Sequence, residues 1–467
     1  MNSYTIRSFR GGISDEESRG IKGSFKFGQA LDIHKKLDSL SCQQAMKKES
    51  GTIVTDLILF MVPASDGNSY HFGDSGKIYK RTSAGVWSLV YTDANGKIKG
   101  AFEYNGYLYW ATNTNLARKP IPGASDWSDI NNVWQTLNAA DWHTIIAGPA
   151  TAGVQGGDLF ICNGDKVAMV DSTSAFTSEA VKLTPDVRAK TLIDNDEWLI
   201  IGTTKADDAE EGYLFAWNVL VMNWKKRKRI PAKGINALII AENMYVQAGI
   251  DGEIFFSDLV NQLPIIAFPG GGQVNPGGVT TKGNLAVFGV YGSDYCGVYS
   301  FGRTKKNRVF ALNLDYILSS GKLTGIEIGA VKMVGSDLLV SWKDGDTYGV
   351  DVVDSSNKAT GIYESLDFDD NAPSIKKTFE NIKIVMKPLP TGCSIKAKFR
   401  INKKGDWIAA KLGDGTETFN TINESEAIFN TGEDGEIYEV RIELYSNGNN
   451  TPEIISINNH FTPREEF

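Results

Sequence analysis

The chain has 467 residues, 42% of them hydrophobic and 22% charged, enough to fill the cores of two or three ordinary domains, which excludes a disordered or fibrous chain. Its 48 lysines and arginines against 56 aspartates and glutamates leave a net charge of −8 without long acidic blocks, which argues against a surface built broadly to grip nucleic acid. That acidic balance is either ordinary solubility charge or the wall of a conduit past which a polyanion slides.

Residues 7–15, RSFRGGISD, stand ahead of any run with a core face, and residues 1–51 are expected to form an extended N-terminal arm and entry strand. The opening MNSYTIRSFRGG has no apolar core behind a basic head, so no signal peptide is expected. The longest apolar run, Leu57 to Val62, is far too short to span a bilayer, so no membrane anchor is expected.

Between residues 52 and 362 one pattern returns seven times: a strand-like run rich in aromatic and β-branched residues, a turn, and a second such run. SYHFGDSGKIYKRT from Ser69, MYVQAGIDGEIFFSD from Met244 and LLVSWKDGDTYGVDVVD from Leu338 are three copies; the others begin at Tyr107, Leu159, Trp198 and Leu285. Gly, Asn and Asp at the joints supply the positive φ angles of tight hairpins. The copies recur at roughly 40 to 50 residues, the spacing of four-stranded propeller blades. A further apolar run precedes most of them, such as INALIIAEN before Met244, and is the natural innermost strand. The expectation is all-β: a six- or seven-bladed β-propeller, with stacked sandwiches as the competing architecture.

Several segments of this region read differently. In ASDWSDINNVWQTLNAADW, Trp127, Ile130, Trp134 and Leu137 fall on one helical face with Ser125 or Asp126 placed to cap it, predicting a helical insertion near 125–142. KKRKR, comprising Lys225, Lys226, Arg227, Lys228 and Arg229, is the single strong charge run. It reads as a nuclear address, a phosphate patch, a solvated outer strand, or, as favoured in this acidic chain, a contact with an acidic neighbouring subunit. PGGGQVNPGG, residues 269–278, lacks the lysine of a phosphate cradle and reads as a mobile loop. DGDTYGVD from Asp344 departs from a calcium loop and reads as a hairpin turn.

After Gly361 the period changes. The run from Ser394 to Ile401 alternates, with Ile395, Ala397, Phe399 and Ile401 as its inward set. Residues 363–467 are therefore expected to form a C-terminal β-sandwich of jelly-roll type, joined to the propeller through ESLDFDDNAPS.

Catalytic constellations are not evident. Cys42, Cys162, Cys296 and Cys393 lie about a hundred residues or more apart, and His34, His71, His143 and His460 are dispersed, so free thiols, no metal and no cofactor are expected. Glu103, Asp194 and Glu242 stand near strand ends and read as turn carboxylates rather than as a glycosidase pair. Trp87, Trp110, Trp342 and Trp407 offer the alternative of a carbohydrate-binding adhesin, if exposed to stack on sugar rings. A propeller glycoside hydrolase ranks below that.

The FRGGIS of residues 9–14 resembles the N-terminal entry of tail nozzle (tail tubular) proteins of short-tailed bacteriophages. The stretch FKFGQALDIHKKLDSLSCQQAMKKESG looks like the strand that precedes the propeller in many phage tail proteins, and the C-terminal strands through TPEI are similar to the sandwich that closes many virion proteins. The resemblance implies a structural virion protein made in the bacterial cytoplasm, forming a ring, commonly sixfold. It implies other tail proteins as partners and transient passage of DNA without specific binding. On this reading Phe9, Arg10, Gly11, Gly12 and Ile13 form an assembly arm across an adjacent subunit, Phe9 and Ile13 filling pockets there; the alternative is that the arm folds back on its own propeller.

Overall fold

In a computed structural model describing residues 2–14, 22–34, 39–149, 157–207, 210–370 and 372–464, the regular structure of the described residues is all strand. The chain forms two compact units, one of Lys48–Gly297 with Ser320–Val352, the other of Met1–Lys47, Val298–Ser319 and Val353–Phe467. These bounds depart from the expected linear order of arm, propeller and sandwich.

The first unit is a seven-bladed β-propeller. Five antiparallel four-stranded meanders span 58–92, 100–136, 145–182, 187–230 and 235–267, each with its strands in sequence order. The sixth blade contributes Gln273–Lys282 and Leu285–Tyr291 to this unit, and the seventh is built on Ile326–Val334 and Asp337–Asp344. Each innermost strand packs beside the next, and Ile326–Val334 returns against Ile58–Pro63, closing the ring. The second strands, among them Ser69–Gly73, Leu159–Asn163 and Met244–Ala248, are buried along their whole length because a neighbouring blade covers each face. The turn Asn105-Gly106, with φ of 48° and 76°, is the Asn-Gly hairpin joint that the sequence pattern predicts.

Closure rests on the residues just ahead of the first blade. The amide of Glu49 donates to Val350 O at 2.9 Å, and the Val350 amide donates to Ser50 Oγ at 3.0 Å. Arg81 of blade 1, its side chain 5% exposed, grips Glu49 through both carboxylate oxygens at 2.6 and 2.8 Å and reaches Asp337 of blade 7 at 2.8 Å. Trp87 Nε1 donates to Glu49 as well, at 3.0 Å. One buried cation thus ties the first blade, the closing segment and the last blade.

Two expectations in this unit are overturned. The segment near 125–142 carries no helix: it is a turn followed by the outer strand Asn131–Thr136 of blade 2. Trp127 sits at φ 62°, which a helix interior does not allow, and is held there by packing on Tyr91 and Tyr70. Packing against blade 1 outweighs a short helical period. The segment PGGGQVNPGG does not remain a loop either. It turns at Gly270 to Gly272 and becomes the bulged innermost strand of blade 6, where a Cβ at Gly277 would clash with the carbonyl of Leu59.

In the second unit, one sheet has the strand order Asn2–Ile6, Ile454–Pro463, Lys377–Met386, Glu426–Gly435. The other runs Ala311–Tyr316, Phe27–Gln29, Gly361–Glu364, Tyr438–Tyr445, Ser394–Ile401, Lys404–Ala409. Phe379 of the first stacks on Tyr438 of the second at 4.2 Å, and Phe399 lies 5.9 Å from Tyr438. The alternation of Ser394–Ile401 holds for Ile395, Ala397 and Phe399, which are buried, while Ile401 is half-buried.

The N-terminal segment belongs to this unit rather than extending away from it. Asn2–Ile6 pairs antiparallel with Ile454–Pro463. Gly12–Ile13 pairs parallel with Ser24–Phe25, and the Gly11 amide donates to Gly23 O at 2.9 Å. Phe9 and Ile13 are each 4% exposed, and the Phe9 ring meets Tyr363 edge-on at 5.4 Å. Gly12 has φ 75°, and a Cβ there would stand 2.7 Å from Leu312 O. The pockets that Phe9 and Ile13 fill are therefore in their own chain, which corrects the expectation of an arm laid across a neighbour.

Candidate functional site

The inner strands of all seven blades enclose a channel of about 500 Å³. Its wall is mixed, with Met61, Ile146, Leu192, Ile239 and Val279 beside Thr144, Thr191, Thr280 and Thr281, and its charged lining residues are Glu103 and Lys332. Glu103 accepts from the Ser65 amide at 2.7 Å and from its hydroxyl, so its carboxylate is engaged in bracing the turn of blade 1. Burial pulls Lys332 below the usual lysine range. Nearby, burial brings Lys190 down to about 8, and its ammonium donates to Asn236 Oδ1 at 2.7 Å.

The sequence's candidate groups scatter through the fold. Trp87, Trp110 and Trp342 are 4%, 0% and 3% exposed, with their indole N–H groups committed to Glu49, Asp93 and Asp351. Core indoles donating to buried carboxylates cannot stack on a sugar, which corrects their reading as glycan platforms. Trp407 is half-buried, flanked by Arg400 at 4.8 Å and Arg441 at 5.9 Å.

Lys226 to Ile230 form the outer strand of blade 4, and Lys225 precedes it. Arg229 pairs with Glu211 at 2.6 Å, Arg227 lies over the Tyr213 ring at 3.8 Å, and Lys226 over Trp198 at 5.2 Å. Lys228 donates to Val260 O at 3.0 Å. Much of this run is therefore engaged within its own propeller.

The histidines are equally separate. His71 is fully buried, shares a 2.8 Å hydrogen bond with Ser69 Oγ, and is driven down to about 3 by burial and by the Arg81 cation. His143 stands between Cys162 O at 2.7 Å and Asn113 O at 3.0 Å. The four cysteines are buried free thiols. Asp344, at the start of DGDTYGVD, pairs with Lys322 at 2.7 Å beside a Gly345 turn, the arrangement of a hairpin joint.

A cleft of about 930 Å³ in the second unit has no counterpart among the sequence candidates, Arg10 excepted. Arg7, Arg10, Lys22, His34, Arg303 and Arg308 line it, and no aspartate or glutamate is among its described lining residues. Tyr4, Ile6, Ile33 and Val309 supply apolar wall. Arg308 is aimed by donating to His34 O at 2.7 Å and by a contact with Thr304 Oγ1, partners that orient a guanidinium without cancelling its charge. No local motif announces such a site, because its cations come from segments about 300 residues apart.

The opposite charge lies on the propeller. The unit's lysines and arginines fall short of its acidic residues by the whole of the chain's net charge of −8, while the second unit balances to zero. In a meander propeller the turns from first to second strand emerge at one end, and that end carries Asp66, Glu103, Asp194, Asp196, Glu197 and Glu242 against Lys282 and Lys332. Asp194, Asp196 and Glu197 form an exposed tip on blade 4, where burial and then the Asp196 charge push Asp194 above the usual carboxylate range.

No protein-family model matches the sequence, and no curated protein matches it. Among solved structures, the Neurospora crassa Pan2 WD40 domain is similar over 70% of this chain and 98% of that one, at 9% identity and a TM-score of 0.45. The Dos1 propeller is similar over 70% of this chain and 93% of that one, at 13% identity and a TM-score of 0.44. The extracellular domain of the hybrid two-component system BT3049 from B. thetaiotaomicron is similar over 88% of this chain, at 11% identity and a TM-score of 0.49; this chain spans 57% of it. These likenesses concern the fold alone.

Proposed function

We propose that this chain is a structural component of a bacteriophage tail, of the nozzle, tube-end or tip kind, which assembles with its own copies into a ring. It works by subunit contact and geometry rather than catalysis, with other tail proteins as neighbours and the virion as its final location. The observation that carries this reading is what the fold does with the segment on which the resemblance rests. Within residues 9–13, Phe9 and Ile13 are core residues, and Gly11 and Gly12 occupy places where a Cβ would collide with Ser24 and Leu312. The short motif thus serves packing within the second unit.

The channel limits where DNA could pass on this reading. At about 500 Å³ it has the capacity of a small-molecule pocket, so a DNA duplex would travel through the lumen of a ring of subunits and not through any one propeller. The net charge of −8 on the propeller unit suits a surface past which a phosphate backbone moves without sticking. Negative-stain images of the purified full-length chain test the proposal: closed rings are expected, and a field of single particles up to the highest soluble concentration would overturn it.

A further inference from the structure

The cleft of Arg7, Arg10, Lys22, Arg303 and Arg308 and the acidic tip of blade 4 are complementary features on one chain. Several arginines around a concavity with apolar wall suit a polypeptide that offers carboxylates together with side-chain carbon. A nucleic-acid backbone would leave the exposed apolar faces of Tyr4 and Val309 uncovered. It would also approach a molecule whose entire net charge is negative and concentrated on its propeller. A protein carboxylate is the better fit, and the chain presents one in the exposed hairpin of Asp194, Asp196 and Glu197.

We propose that the basic cleft receives the Asp194–Asp196–Glu197 turn of a neighbouring copy, making a head-to-tail contact between the second unit of one subunit and the propeller of the next. This rests on the ring reading and deepens it by naming the two surfaces. A heterologous contact of this kind uses a different patch on each partner, which is the requirement for a ring larger than a dimer. Glu103 and Glu242, at the same end of the propeller, extend the negative field around the tip and steer its approach. Electrostatic complementarity of this sort sets register and encounter rate, so the association weakens steeply with salt.

Two double variants test it in the full-length chain. Arg7→Glu with Lys22→Glu reverses two exposed cations of the cleft, and Asp194→Lys with Glu197→Lys reverses the tip; both sets lie on the surface, and circular dichroism would verify that each variant folds. In sedimentation velocity at low salt, each variant alone should associate at least tenfold more weakly than the wild type. Mixed one to one, they should associate into alternating assemblies, the wild-type cleft of the second taking the wild-type turn of the first and the reversed cleft of the first taking the reversed turn of the second, and the chain carrying all four changes should likewise recover association. Variants that still form wild-type rings would refute this contact and leave the ring reading standing. A wild type that stays monomeric at every concentration would end both. A wild type that binds a DNA oligonucleotide, with binding lost on reversal of Arg7 and Lys22, would show that the cleft takes nucleic acid and overturn the proposal.

Discussion

Five blades of the propeller are each made of four strands consecutive in sequence, joined by tight turns such as Asn105-Gly106. In the second unit Asn2–Ile6 pairs with Ile454–Pro463, and Ala311–Tyr316 lies beside Phe27–Gln29. Local pairing spends little loop-closure entropy and can form blade by blade, whereas the second unit must bring together chain ends separated by the whole sequence. The buried ion pairs show the same contrast. Arg81 joins neighbours in a ring, while Glu439 holds Arg400 at 2.6 and 2.9 Å and Lys26 at 2.7 Å, binding a residue near the N-terminus to strands near the C-terminus. Burial pushes Glu439 up, but the hydrogen bonds from Arg400 and Lys26 prevail and hold it at about 2. The propeller depends on repetition, and the second unit depends on both ends of the chain being present.

Removing residues 2–14 breaks this contrast most severely. It takes away an edge strand and the buried Phe9 and Ile13, each of which contributes a few kcal/mol in a well-packed core. In calorimetry the transition of the second unit should disappear while that of the propeller persists; loss of both, or of neither, would show that the division is wrong. Next in size is Arg81→Ala, which leaves Glu49 with its buried partner gone and should cost the propeller about 3–5 kcal/mol in urea unfolding. The midpoint of the second unit should not move.

A smaller effect follows pH. His71 is held neutral at about 3 in the folded chain, below the usual histidine value near 6.5. Below pH 6.5 the unfolded chain gains a proton that the folded one does not accept, so stability falls as pH drops from 6.5 toward 3, by about 1.4 kcal/mol per unit for this group. His71→Gln should flatten that part of the propeller's stability profile. Smallest is Arg229→Ala, which removes an exposed pair with Glu211 and should leave the unfolding midpoint unchanged within error.

The sequence displays the propeller because its signal is local: seven strand-turn-strand copies and the inner runs before them correspond to the blades. It misleads at Trp127 and at residues 269–278 because packing between blades overrides a short period in one case and a run of glycines in the other. Trp87, Trp110 and Trp342 look the same in sequence whether they face solvent or a buried carboxylate. The role of residues 9–13 was visible as a motif but not as a location, since Tyr363 and Leu312, which receive them, are remote in the chain. The basic cleft was hidden for the same reason, its cations converging only when Val298–Ser319 joins the N-terminal segment.

The central claim, that this chain works as an assembled ring, is tested most directly by the mass of the full-length protein in light scattering at low and at high salt. The account predicts a closed multiple of 51.1 kDa at low salt that dissociates as salt screens the contact between cleft and turn. A mass of 51.1 kDa at low salt, unchanged up to the highest soluble concentration, would contradict it.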